Sequence, residues 1–214
     1  MARSQNPSVA RWGLSHTHPA FRPYVVALGQ LTLAWNELHE AMALLFCSVM
    51  GGGYANQFLA VWHSINSDRN QRAVLVAAAE NDINRPASDM RHKEVVEKIK
   101  WICGQANTLE DLRNDSLHSP LIARGQQVVP MSGLGHIRAG KLQGKADLLA
   151  EFRWCRDGAK RLTEYVRAID DALANGTPLP DKLRLPPRGG TKVPKRPRRE
   201  QRATSSREPP PSSA

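Results

Sequence analysis

The sequence predicts an all-α fold, an up-and-down bundle of four to five helices that is followed by a disordered basic tail. Apolar residues recur at spacings of three and four over long stretches, which is the period of one helix face, and glycine or proline clusters separate these stretches. With 214 residues, of which 41% are hydrophobic, the chain can bury one core. We therefore expect a helical domain over residues 20–176, an irregular arm over residues 1–19 and a tail over residues 177–214.

The first predicted helix carries a long, regular apolar stripe. Its members alternate spacings of three and four without a break: Phe21, Tyr24, Leu28, Leu31, Trp35, Leu38, Met42, Leu45 and Val49. The glycine run 51–53 should end this helix, because glycine is costly inside a helix and readily adopts the left-handed exit conformation.

Two shorter helical segments follow. The first is predicted by a small apolar group, Phe58, Leu59, Trp62 and Ile65. The second opens near Asp68, which forms the pattern of a capping box with Gln71, in which each side chain bonds a free backbone amide. Arg69 and Arg72 near this helix start are candidate contacts for an RNA phosphate, and a solvated helix face is the alternative for both.

A third long stripe runs from Val95 to Leu112 and predicts the motif helix. Extending the stripe by steps of three and four places Arg113 on the core-facing line. A guanidinium there must be paired or open onto a polar cavity, and Glu37 and Glu40 of the first helix are its candidate partners.

The polar segment that follows this stripe in the sequence should end the helix. Pro120 cannot continue a helix, so His118 should lie in the last turn or just beyond it. Asp115 is expected to face solvent. Residues 121–144 contain five glycines and two short apolar groups, which predicts a hairpin or extended excursion. The last helix should start near Ala146, carry one apolar stripe and close at Asn175-Gly176.

The tail differs from the rest of the chain in composition. Of a net charge of +10, residues 176–214 contribute ten basic and three acidic side chains, and nine of the fifteen prolines follow Thr177. This composition cannot offset the entropy lost on folding, so we expect disorder. The basic centre could hold RNA by counterion release, with Lys195, Arg196, Arg198 and Arg199 as candidates. A solubilising tail without a partner is the alternative.

The cysteines and the apolar runs indicate the compartment. Cys47, Cys103 and Cys155 lie far apart in apolar-periodic segments, which predicts reduced core thiols. The chain contains no run of about 18 apolar residues, the length needed to span a bilayer, and its N-terminus lacks an apolar signal core. We expect a cytoplasmic protein without a membrane segment, metal or cofactor.

The segment 112–120 is the candidate site, because it combines Arg113, an adjoining Asn114 and His118. The bare spacing is unspecific, since three other pairs satisfy an interval of four to six residues: Arg11 with His16, Arg11 with His18, and Arg85 with His92. Only Arg113 follows a long apolar stripe and precedes a helix-ending proline. In this context the segment resembles the Arg-x4-6-His motif of the HEPN proteins (higher eukaryotes and prokaryotes nucleotide-binding).

The resemblance covers residues 20–175, within which the blocks 35–40 and 62–72 also look like parts of small bacterial HEPN-like proteins. It implies a compact helical domain that cuts RNA without metal and leaves a 2′,3′-cyclic phosphate and a 5′-OH end. Arg113 and His118 would be catalytic and Asn114 supporting. As a toxin or defence effector, such a protein would act on RNA and could have an antitoxin or regulatory protein as a further partner.

The residue types suit this chemistry. Histidine, with an unperturbed pKa of about 6.5, can take the proton from the 2′-OH or deliver one to the leaving oxygen. Arginine stays charged and binds phosphate oxygens with a planar fork. Residues five apart on a straight helix differ by about 140°. Arg113 and His118 therefore converge only if the helix breaks near Ser116 or two copies share a cleft, and we expect a homodimer with both His118 side chains near the twofold axis.

Two other hypotheses remain open. In the first, Arg113 forms a structural ion pair and His118 caps the helix end, so the protein is a non-catalytic helical dimer that binds a nucleotide, RNA or a protein. In the second, the basic tail is the functional part and tethers the domain to nucleic acid.

Overall fold

The computed structural model describes residues 18–81, 89–124, 127–131, 137–142 and 147–188. These residues are mostly helical, which confirms the predicted class. The elements are a 3-10 turn (Pro19–Phe21), α1 (Arg22–Val49), α2 (Ala55–Ser64), α3 (Asp68–Glu80), α4 (Met90–His118), β1 (Leu121–Arg124), β2 (Gln127–Pro130), α5 (Ile137–Leu142) and α6 (Leu148–Asn175). In this part of the chain no helix is both long and apolar enough to cross a bilayer.

The two longest predicted apolar stripes end where glycine allows it. Behind α1 the backbone turns through Gly51 and Gly52, whose φ angles are 92° and 70°. α6 ends at Gly176 in the left-handed conformation, with a φ of 68°. Both stops agree with the prediction.

Contacts between residues of neighbouring helices give the directions of the helices. α1, α3 and α6 run one way, and α2 and α4 run the other. The pairs that show this are Tyr24–Phe152 and Glu37–Arg167 between α1 and α6, Phe46–Phe58 and Glu40–His63 between α1 and α2, Asp68–Arg113 and Glu80–Lys100 between α3 and α4, and Leu109–Cys155 and Trp101–Tyr165 between α4 and α6. Neighbouring long helices along the chain therefore alternate in direction.

The core lies between α1, α4 and α6 and contains the predicted stripes. Gly158 of α6 is packed so closely that a Cβ atom there would lie 3.1 Å from Leu109 of α4. The three cysteines are buried and free, as predicted. Burial raises the pKa of Cys103 and of Cys155 to about 12, so both thiols are inert packing residues.

The start of α3 differs from the predicted capping box. The side chain of Ser67 accepts the bond from the free backbone amide of Asn70, and Asp68 is already the first helical residue. The capping-box prediction is therefore wrong, and the side chains of Asp68 and Gln71 are available for contacts with other helices.

The excursion after the motif helix is partly as predicted. β1 and β2 pair antiparallel, with Ile122 opposite Val129. Residues 137–142, however, form α5 and not an extended segment, and two of its side chains, those of Ala139 and Leu142, are buried. A helix of under two turns shows too little periodicity for the sequence to reveal it.

The predicted tail begins inside the folded region. Residues 178–188, here called the C-terminal strap, have no regular structure, yet Leu179, Leu183 and Leu185 pack against the core. Arg188 ends the strap with a 2.6 Å bond to Glu151 at the start of α6. The boundary predicted after residue 176 is thus too early. The remaining tail, with Lys195 to Arg199, and residues 1–17 lie outside the described residues.

Candidate functional site

The motif helix α4 runs without interruption from Met90 to His118. A helix break near Ser116, one of two arrangements that would bring Arg113 and His118 together, is therefore excluded, and the Ser116 hydroxyl bonds a carbonyl inside the helix. His118 lies in the last turn, as predicted, and is exposed. Arg113 keeps 21% of its side chain exposed and otherwise points into the bundle.

Three side chains surround the guanidinium of Arg113. Its Cζ lies 5.6 Å from the centroid of the Trp35 ring, and its Nη1 lies 4.0 Å from Oδ2 of Asp68. Nη1 also donates to Oδ1 of Asn114 at 2.9 Å. Nε is buried and has no hydrogen-bond partner among the described residues. The inward direction was predicted, but the contacts are to α3 and to an aromatic ring of α1.

The glutamates predicted as partners of Arg113 pair elsewhere. Glu37 accepts a bond from Arg167 of α6 at 3.1 Å, and Glu40 lies 3.9 Å from His63 of α2. Both glutamates lie on the exposed side of α1, so they cannot reach a side chain that enters on its buried side. The predicted ion pair with either glutamate is wrong.

Asp68 connects Arg113 to the first helix. The indole Nε1 of Trp35 donates to Oδ2 of Asp68 at 2.8 Å, and the same oxygen lies 3.7 Å from Nε2 of His39. Because Trp35 is buried, this bond holds the carboxylate in place between His39 and Arg113.

The guanidinium of Arg72 is buried and bonds to side chains inside the protein. Its Nη2 donates to Glu110 at 2.6 Å and its Nε to Asn107 at 3.0 Å, and the side chain is buried. The prediction that Arg72 contacts RNA is therefore wrong, and so is the alternative of a solvated face. Arg69, in contrast, keeps 61% of its side chain exposed beside Glu110, so its contact with RNA stays a prediction.

His39 completes the network as a neutral ring. Nδ1 lies 3.1 Å from Oε1 of Gln71, which suits donation to that oxygen, and Nε2 lies 3.2 Å from Nη1 of Arg72, which suits acceptance. Burial lowers the pKa of His39, and the charges of Arg72 and Arg113 lower it further, whereas Asp68 and Gln71 act in the opposite direction. Gln71 is held in turn by the carbonyl of Trp62.

The two inward arginines differ in how far their charge is compensated. Arg72 forms a short bond to Glu110, whereas the carboxylate nearest to Arg113 is 4.0 Å away and Arg113 is partly exposed. A short, desolvated ion pair leaves little attraction for a further anion. Arg113 is therefore the better placed of the two to receive a phosphate oxygen.

The face of α4 that carries His118 is also charged. Asp115, which was expected to face solvent, is buried between two cations of α5. Its Oδ1 lies 3.7 Å from Nη1 of Arg138 and 3.6 Å from Nζ of Lys141. The expectation was wrong because α5 was not predicted. Asn114 and His118 are four residues apart and so lie on neighbouring positions of one helix face.

Sequence reasoning found the motif residues but missed Trp35, His39, Asp68 and Gln71 as their neighbours. These residues lie in the blocks 35–40 and 62–72 that carry the weaker part of the resemblance, and that was the available signal. No group of three or more His, Cys, Asp or Glu side chains within the described ranges is placed to hold a metal ion. A scan of protein-family models, a search of curated proteins and a search of solved structures each found no match to this chain.

Proposed function

We propose that this chain is a metal-independent endoribonuclease of the HEPN type that acts as a homodimer. The position of Asn114 carries the proposal: its Oδ1 accepts a hydrogen bond from Arg113, and it precedes His118 by one turn on the same face of α4. The bond therefore draws the guanidinium towards the face that holds the histidine.

The proposed reaction uses these side chains in different roles. The 2′-oxygen of a ribose attacks the adjacent phosphorus and the bond from phosphorus to the 5′-oxygen breaks. Histidine accepts the proton of the 2′-OH or supplies one to the departing 5′-oxygen. Arg113 binds the phosphate oxygens and stabilises the negative charge that builds up there. The products are a 2′,3′-cyclic phosphate and a 5′-OH.

A second copy supplies what one chain lacks in this proposal. Within the unbroken helix, Arg113 and His118 leave the axis about 140° apart, so one copy does not bring the two side chains together. Two copies that meet at His118 would enclose the scissile phosphate and place two histidines there, one as base and one as acid. A monomer at micromolar concentration in sedimentation would count against this arrangement.

The activity is tested with purified protein and mixed RNA in EDTA. Arg113→Ala and His118→Ala should each lower the cleavage rate at least about a hundredfold, since each removes a group that acts on the reacting atoms. Arg167→Ala removes an exposed arginine of α6 and should keep the wild-type rate, which makes it the matched control. Cleavage that persists in both motif variants, or that requires added metal, would contradict the proposal.

A non-catalytic helical dimer that binds RNA, a nucleotide or a protein is the second candidate. It is favoured by the contacts of Arg113 with Trp35 and Asp68, which a structural arginine would also make. Melting temperatures separate the two: loss of a structural Arg113 should lower the melting temperature markedly, whereas loss of a catalytic one should abolish cleavage at little cost in stability. A toxin or defence role with an antitoxin partner belongs to the first candidate.

A further inference from the structure

We infer that Arg138 and Lys141 of α5 form a binding site for RNA backbone phosphates beside His118. The inference rests on the proposed function, because it names the part of the surface that would hold RNA next to the motif. Neither residue belongs to the motif, and the sequence alone assigned no role to either.

The charges of Arg138, Lys141 and Asp115 do not cancel. Nη1 of Arg138 and Nζ of Lys141 lie 3.7 Å and 3.6 Å from the same oxygen, Oδ1 of Asp115. One carboxylate compensates one cation, so the group keeps a net charge of +1. The carboxylate is 11% exposed, whereas the cations are 43% and 61% exposed. The uncompensated charge therefore faces solvent, where an anion can reach it.

The group is adjacent to the proposed reaction centre. Asp115 precedes His118 by three residues, so their side chains are neighbours on α4, about 5–6 Å apart at Cβ. α5 is anchored to the bundle by the buried side chains of Ala139 and Leu142, which fixes the backbone that carries the two cations. When the scissile phosphate of an RNA strand lies at His118, a neighbouring phosphate of the same strand would lie beside Arg138 and Lys141.

Binding is measured on the full chain carrying His118→Ala, so that cleavage cannot interfere. A labelled single-stranded RNA is titrated at several salt concentrations, with fluorescence anisotropy as the readout. Each phosphate contact contributes about 0.7 to the magnitude of the negative slope of log K against log salt for single strands, so Arg138→Gln with Lys141→Gln should reduce that magnitude by at least about 0.7. Lys93→Gln with Lys160→Gln removes the same charge at exposed positions of α4 and α6 and should leave the slope unchanged.

The single variant Lys141→Gln guards against a loss of folding, because Arg138 remains to pair with Asp115, and it should reduce the magnitude of the slope by about 0.7. An unchanged slope in both α5 variants, an equal fall in the control pair, or no RNA binding at all overturns the inference. Failure of the proposed function is a separate result: a wild-type chain that binds RNA with the expected slopes but never cuts it keeps the phosphate site and loses the nuclease.

Discussion

Trp35 is the side chain on which both inward guanidiniums lie. The Cζ atoms of Arg72 and Arg113 are 5.8 Å and 5.6 Å from its ring centroid, and its indole N–H bonds Asp68. Cation–π contacts of this kind stabilise by about 0.5–2 kcal/mol, depending on desolvation. The orientation of Arg113 is therefore set by α1 and α3 as well as by its own helix.

Asp68→Asn tests whether this support matters for the proposed RNA cleavage. Asparagine keeps an oxygen for the indole of Trp35 but loses the charge that faces Arg113, so the guanidinium should be less well positioned. We expect kcat to fall roughly tenfold, equivalent to about 1.4 kcal/mol, with the melting temperature nearly unchanged. Asp111→Asn removes an exposed carboxylate of α4 and should keep the wild-type kcat. Equal kcat values in the two variants would show that Asp68 has no positioning role.

His39 makes stability depend on pH. Its pKa is lowered in the folded protein, chiefly by burial, so the unfolded chain binds more protons just below pH 6.5. The stabilisation is present above that pH and is lost as pH falls towards the folded pKa, by at most about 1.4 kcal/mol per pH unit. Denaturant unfolding at pH 7.5 and 5.5 should show a smaller loss in His39→Gln than in the wild type. Parallel curves for the two proteins would exclude His39 as the source.

At the scale of the element, apolar periodicity predicted the long helices and their glycine stops, because a stripe over several turns is a strong signal. It could not predict α5, which is too short to show a period. It also assigned Asp68 and Gln71 to a helix cap, since their local pattern fits one, and only the packing of α3 against α1 and α4 shows their real partners. In the site, the positions of Arg113 and His118 were predictable and their neighbours were not.

The C-terminal strap should contribute to stability. Its three partly buried leucines are each expected to add about 1 kcal/mol by removing apolar surface from water. A chain that ends at Thr177 should therefore melt roughly 6–12 °C below a chain that ends at Arg188. Differential scanning calorimetry of the two truncated chains makes the comparison, and identical melting temperatures would mean that the strap contacts are energetically neutral.

At the scale of the whole molecule, the proposed shared cleft predicts that two inactive variants restore each other. Arg113→Ala and His118→Ala chains, refolded together, should give heterodimers that still hold one intact arginine and one intact histidine in the cleft. With random pairing, half of the dimers are such heterodimers, and each keeps one of the two histidines. We therefore expect an activity below half of the wild-type value and well above that of either variant alone. A site contained in one chain would leave the mixture as inactive as its components, because no chain carries both side chains.

The path of the strap decides where the rest of the chain is attached. Near the start of the strap, the carbonyl of Pro180 accepts a hydrogen bond from Lys98 in the first third of α4. The strap then runs back along α6, where the indole of Trp154 donates to the carbonyl of Pro186, and ends with Arg188 at Glu151. The first turns of α6 lie beside the C-terminal part of α4, as the bond from Cys155 to Leu109 shows. The anchor point at Arg188 is thus on the end of the bundle that carries the motif. Any nucleic acid held by the residues beyond it would be tethered there, and its local concentration near the motif would not depend on its concentration in bulk solution.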